Sequence, residues 1–150
     1  MVKKRILVID DDEAVLKSMA RLLDFEGYQV DTAKTGKEAV EKSQLNFYNL
    51  ALIDIRLPDM EGTALLRAMR DMVPRMVKII LTGYPSTSNA IEAANKGADA
   101  YVIKPVIDTD DFLRKIKEHL GKQEESEHYD DKKVTDFVKT RLKQLESKKT

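Results

Sequence analysis

Apolar residues recur along this chain in two rhythms. Continuous runs occupy residues 6–9, 50–53, 77–81 (interrupted by Lys78) and, more briefly, 101–103. Runs this short suit strands buried on both faces, as in a parallel sheet with helices on each side. Residues 28–31 alternate, Tyr28 and Val30 against Gln29 and Asp31, as a less buried strand would. Between these runs the spacing is helical. Val15, Met19, Leu22 and Leu23 form one stripe, and Gly27 follows as a stop signal. Shorter helical patterns cover 37–43, after Gly36; 64–72, with Leu65, Leu66 and Met69 on one side and Pro74 beyond; and 86–96, with Ile91 and Ala94, before Gly97. Residues 109–120 carry Phe112, Leu113, Ile116 and Leu120, with Asp108 or Thr109 as candidate N-cap and Gly121 just after.

Five strands and five helices in strict alternation predict a doubly wound α/β domain over residues 1–121. The segment 122–133 is charged, with Tyr129 as its one aromatic, and reads as a linker. Beyond it Val134, Phe137, Val138, Leu142 and Leu145 span about 140° at 100° per residue, so 134–147 is expected to form an amphipathic helix. A helix this short is marginal alone in water, so its stripe should find a surface. It has two choices, the α/β domain of its own chain or the same helix of a second chain. A self-complementary stripe favours the homodimer, although Arg141 interrupts a clean heptad seam.

Composition narrows the function classes. Lys and Arg total 26, as do Asp and Glu, so the formal net charge is zero and carries no footprint for direct nucleic-acid or membrane binding. The absence of cysteine excludes disulfides and thiolate chemistry. His119 and His128 both lie among charged residues late in the chain, a poor place for a histidine site. The apolar run at 6–9 is too short for a signal peptide or a membrane span, and a cytoplasmic location is expected.

Ligands of open α/β sheets bind at the carboxyl ends of the strands, where strand order reverses. The first strand ends in Asp10, Asp11 and Asp12, and the third ends in Asp54. In the flavodoxin-like order 2-1-3-4-5, taken by analogy, those two strands are neighbours and Asp10, Asp11 and Asp54 converge. Clustered carboxylates repel one another unless a hard cation compensates, and oxygen donors at this density suit Mg²⁺, with Mn²⁺ able to replace it. A dinucleotide site would instead need a glycine-rich turn after the first strand, and no glycine precedes Gly27. An Asp beside such a cation can act as a nucleophile toward phosphorus. Thr82, ending the fourth strand, and Lys104, ending the fifth, stand where they could stabilise charge on a phosphoryl group. Lys104 precedes Pro105, and a cis bond there would aim the lysine into the pocket.

These residues carry a resemblance. The run from Ile6 to Asp11, Asp54 with the segment from Leu57 to Gly62, Leu81-Thr82-Gly83, and the stretch from Gly97 to Pro105 together resemble a response-regulator receiver domain of two-component signalling, of the chemotaxis-receiver type, over residues 3–121. The resemblance implies that Asp54 is the phosphoacceptor, that Asp11 ligates Mg²⁺ directly and Asp10 through water, and that the Arg56 backbone carbonyl is a further ligand. It implies a switch pair, Thr82 and Tyr101, and a phosphoryl contact from Lys104. Asp12 is then left to cap the first helix. Arg56 and Tyr84 would flank the pocket mouth and gate the water that hydrolyses the phosphoryl group. Leu57 and Val106 replace the more usual Met and Phe, which are packing changes.

The implied partners are a sensor histidine kinase or phosphotransfer protein upstream and a protein effector downstream. Its only implied chemistry is self-phosphorylation and slow self-dephosphorylation, not turnover of a separate substrate. Two alternatives stand beside this reading. One is the receiver portion of a longer DNA-binding regulator. The other is a phospho-aspartate hydrolase, which the position of Asp54 on the third strand disfavours, since such enzymes carry their nucleophile on the first.

Overall fold

The computed structural model describes residues 3–69, 75–83, 85–127 and 131–148. Its elements run β1 (Arg5–Ile9), α1 (Glu13–Phe25), β2 (Gln29–Ala33), α2 (Gly36–Leu45), β3 (Leu50–Asp54), α3 (Gly62–Met69), β4 (Val77–Thr82), α4 (Thr87–Asn95), β5 (Ala100–Ile103), α5 (Thr109–Glu127) and α6 (Asp131–Lys148). The five strands are parallel and ordered β2-β1-β3-β4-β5, as expected.

Strand periodicity divides the core in two, because successive side chains point to opposite faces. Ile6 and Val8 of β1, Leu50 and Leu52 of β3 and Ile79 and Leu81 of β4 meet Leu16, Met19 and Leu23 of α1 and Phe112, Ile116 and Leu120 of α5. Leu7, Ile9, Ala51, Ile53 and Ile80 meet Ala39 of α2, Leu65, Leu66 and Met69 of α3 and Ala93 of α4. Each such aliphatic side chain contributes roughly 1.5–3 kcal/mol by leaving water. In α1 the buried line is Leu16, Met19 and Leu23, with Val15 and Leu22 only half-buried, so the centre of the stripe sits slightly off the expected one. Gly27 takes a φ of 96°, the left-handed conformation that ends α1.

The carboxyl end of the domain differs from expectation in two ways. First, α5 does not stop at Gly121 but continues to Glu127, so 122–127 is helix rather than linker, and α6 begins already at Asp131. A glycine inside a helix costs about 1 kcal/mol relative to alanine. Gln123 offsets this from two residues beyond: its buried Nε2 donates to the carbonyls of Asn49 (2.9 Å) and Arg75 (2.7 Å), below β3 and β4. Lys4 pairs with Glu124 beside it. Asp108 is the N-cap of α5, its Oδ1 accepting from the Asp111 N–H at 3.0 Å.

Second, α6 folds back on its own chain and packs along α2. Phe137 stands edge-on to Phe47 with ring centroids 5.7 Å apart at 69°, and Arg141 lies 5.4 Å over the Phe137 ring. Both phenylalanines are buried. Phe47, in the α2–β3 connection, supplies the groove that makes the fold-back arrangement available. The rest of the stripe is less covered: Val134, Val138 and Leu145 are half-buried, and Leu142 is 44% exposed. Residues 70–72 of the expected third helix, together with Pro74, His128 and Tyr129, lie outside the described residues.

Candidate functional site

The first strand continues one residue past its end, because the Asp10 N–H donates to Ala33 O at 3.0 Å. Asp10 Oδ1 then accepts the Asp12 N–H at 2.9 Å and turns the chain into α1. Asp12 is the α1 N-cap, its Oδ1 accepting from Ala14 (2.9 Å) and Val15 (3.3 Å), the role expected of the third acid. The pairing of Ile9 with Ile53 brings Asp10 alongside Asp54.

Asp10, Asp11 and Asp54 each offer a carboxylate oxygen within 4.8 Å of the others. Asp10 is 2% exposed and Asp54 8%, whereas Asp11 opens to solvent. Three hard oxygen donors on one small mouth fit Mg²⁺ and do not suit a soft metal. Lys104 Nζ lies 2.6 Å from Asp10 Oδ2 and 3.6 Å from Asp54 Oδ2, at the end of β5 and before a cis bond to Pro105. Burial pushes the Asp54 carboxyl above its ordinary range; Lys104 opposes that shift and Asp10 adds to it. For Lys104 burial disfavours the ammonium, but the hydrogen bond it donates to Asp10 and the charge of Asp54 outweigh it and hold its pKa above the usual value.

Thr82 is fully buried at the end of β4, and its carbonyl accepts the Lys104 N–H at 2.7 Å. Tyr101 is half-buried on β5, packed against the α2–α3–α4 side of the core, with its hydroxyl buried and without a hydrogen-bond partner. The Arg56 N–H points at Asp54 Oδ1 from 3.4 Å, and its side chain is exposed. Tyr84 lies outside the described residues.

The loop after Asp54 is closed by hydrogen bonds. Gly62 N–H donates to Ile55 O at 2.7 Å, Leu57 N–H to Met60 O at 3.1 Å, and Arg56 bridges Glu61 in antiparallel fashion. A Cβ on Gly62 would stand 2.4 Å from the Asp54 carbonyl oxygen, so only glycine lets the chain return this close. At the tip, Asp59 accepts the N–H of Gly36 and of Lys37, both at 2.9 Å. Sequence reasoning gave Asp59 no role. It caps a helix 23 positions earlier, and no local pattern reports a cap supplied across the fold. The three-member contact of Arg5, Asp31 and Tyr48 beneath β1 was missed for the same reason.

The chain matches the family model described as response regulator receiver domain over residues 6–117. It is 51% identical to a solved response regulator receiver domain protein (CheY-like) from Methanospirillum hungatei JF-1, with a TM-score of 0.79, covering 83% of this chain and 98% of that one. The beryllofluoride-activated NtrC4 receiver domain, solved as a dimer, is 34% identical with a TM-score of 0.74, covering 79% and 98%. Among curated relatives, the acid tolerance regulatory protein ActR of Rhizobium meliloti (strain 1021) is 34% identical over 81% of this chain, and the transcriptional regulatory protein ZraR of Escherichia coli (strain K12) 35% over 77%. The chain spans 62% of the length of ActR and 26% of ZraR.

Proposed function

Because the chain belongs to the response regulator receiver domain family, we propose that Asp54 is its phosphoacceptor and that the neighbouring acids hold Mg²⁺. The chain is a receiver module of two-component signalling. The observation that carries the assignment is the convergence of three carboxylates with the ammonium of Lys104 on one strand-end mouth.

Asp54 has the position of the nucleophile: it ends a fully buried strand and is fixed at its base by Gly62. One of its carboxylate oxygens attacks phosphorus in line, and the bond to the donor's nitrogen or oxygen breaks with its electron pair leaving on the donor. Asp10, Asp11 and the Arg56 carbonyl would hold the cation, which when bound neutralises charge on the equatorial phosphoryl oxygens. Lys104 supplies a further positive charge to those oxygens, moving from Asp10 toward the new group. Thr82, buried beside it, donates its hydroxyl, and Tyr101 carries the change outward along β5 to the face built from α4, β5 and α5.

The donor is a histidine kinase or phosphotransfer protein, and the recipient of the signal a protein effector, in the cytoplasm. Among the described residues no helix is long and apolar enough to cross a membrane. Self-association through α6 would require Phe137 to leave Phe47. The chain's own chemistry is confined to gaining and slowly losing the phosphoryl group, with Arg56 screening it from water. Incubation with acetyl phosphate and Mg²⁺ is expected to add one phosphoryl group by intact mass, and Asp54→Asn to remain unlabelled. Full labelling of that variant at another residue would refute the assignment.

A further inference from the structure

The acidic mouth is assembled from two separate pieces of chain, residues 10–12 and residues 54–62, and a third piece ties them together. The turn from β2 into α2 lies between them. On one side it is fixed to the first piece, since Ala33 O accepts the Asp10 N–H at 3.0 Å; just past that piece, Lys34 Nζ reaches Glu13 Oε2 of α1 at 3.1 Å. On the other side Asp59 hydrogen-bonds it to the second piece through both carboxylate oxygens, and Met60 packs beside Gly36.

The chemistry of that contact is specific. The first turn of α2 leaves its N–H groups without intrahelical partners. Thr35 Oγ1 takes the Glu38 N–H at 3.0 Å, and Asp59 takes those of Gly36 and Lys37. A carboxylate favours this end of a helix by charge as well as by hydrogen bonding. Gly36 permits the approach: a Cβ there would stand 2.4 Å from Met60 Sδ, the residue next to Asp59.

We infer that Asp59 is a positioning residue for the cation. The β1–β3 pairing sets Asp10 beside Asp54; by pinning the tip of the 54–62 loop to α2, Asp59 holds the Arg56 side of the mouth in place, and with it the affinity for Mg²⁺. The inference rests on the proposed Mg²⁺ site, and the two fail differently. Titration calorimetry of the full chain with MgCl₂ alone, without phosphoryl donor, separates them. Asp54→Asn tests the site itself. Asp59→Ala is expected to weaken Mg²⁺ by about tenfold or more, the usual effect of removing a group that orients metal ligands. Asp59→Asn keeps one acceptor oxygen and should fall between. Amide exchange at Gly36 and Lys37 should quicken in Asp59→Ala.

Should Asp59→Ala not fold, Lys37→Pro removes one of the two donors from the helix side, at a first-turn position that tolerates proline. It is expected to weaken Mg²⁺ while Lys37→Ala does not. Wild-type affinity in folded Asp59→Ala, or equal affinities for Lys37→Pro and Lys37→Ala, overturns the positioning role and leaves the site standing. Absence of Mg²⁺ binding by the wild type overturns both.

Discussion

Asp54 differs from the other two acids of its mouth in what surrounds it. Asp10 already accepts two hydrogen bonds, from Asp12 N–H and Lys104, and Asp11 faces water. Asp54 has a 3.4 Å contact from Arg56 N–H and an ammonium at 3.6 Å, so its oxygens are less committed than those of Asp10 and, unlike those of Asp11, are sheltered from water. A nucleophile needs that freedom, while a ligand does not. The same kind of accounting makes a prediction at Tyr48. Its hydroxyl donates to Asp31 Oδ2 at 2.6 Å beneath the Arg5 guanidinium. Burial, then the hydrogen bond and charge of Asp31, push the phenol well above its ordinary pKa. A folded-state pKa raised in this way gives stability that is whole below the unfolded pKa of about 10 and fades as pH climbs past it. Tyr48→Phe should therefore cost about 1–2 kcal/mol near pH 7. The gap to wild type should narrow above about pH 10 in urea titrations. A gap that stays constant to pH 11 would remove the hydrogen bond from the account. Tyr28, raised chiefly by burial, is present in both proteins and cancels in the difference.

Among the elements, α6 is the one whose stability is borrowed. Its apolar contacts centre on Phe137 against Phe47, with Arg141 covering the outer ring face. Phe137→Ala is expected to undock α6, seen as lost helical circular dichroism and lost amide protection over 134–145. The cost should be about 1–3 kcal/mol, below the usual figure for a buried phenylalanine because local opening limits it. Retained protection in that variant would show that Val134, Val138 and Leu145 suffice. The inner strands were legible in the sequence because burial on both faces writes an apolar run, as at Ile6 to Ile9; β5, an edge strand, carries such a run while only half-buried. The end of α5 was not, because Gly121 is a local stop signal and the side chain that overrides it, Gln123, bonds carbonyls 74 and 48 positions away. Homodimer pairing and fold-back likewise present the same stripe to a sequence reader. What separates them is the Phe47 groove, which exists only after the domain folds.

For the whole molecule, α6 packs along α2 with Phe137 on Phe47, and the described residues of the site all lie between Asp10 and Pro105. A chain ending at Glu127 is therefore expected to bind Mg²⁺ and accept phosphoryl groups within about twofold of the full chain, despite lower thermal stability. A large loss of either would place α6 in the chemistry rather than in the scaffold. The acids, Thr82 and Lys104 were legible in advance because each ends a strand, and parallel strands deliver their ends to one edge. Asp59 was hidden by its distance from the helix it caps. One feature joins the two ends of the sheet. α5 starts just beyond the cis Lys104–Pro105 bond and runs without a break to the base, where Gln123 fastens it. It is a lever. From Thr109 to Gln123 its arm is about 21 Å at 1.5 Å per residue. A tilt of about 5° at the upper end would sweep Gln123 by about 2 Å, more than hydrogen bonds of 2.7 and 2.9 Å can stretch and survive. The two hydrogen bonds from Gln123 thus act as a latch, and motion at the mouth is either absorbed above them or released at the base all at once.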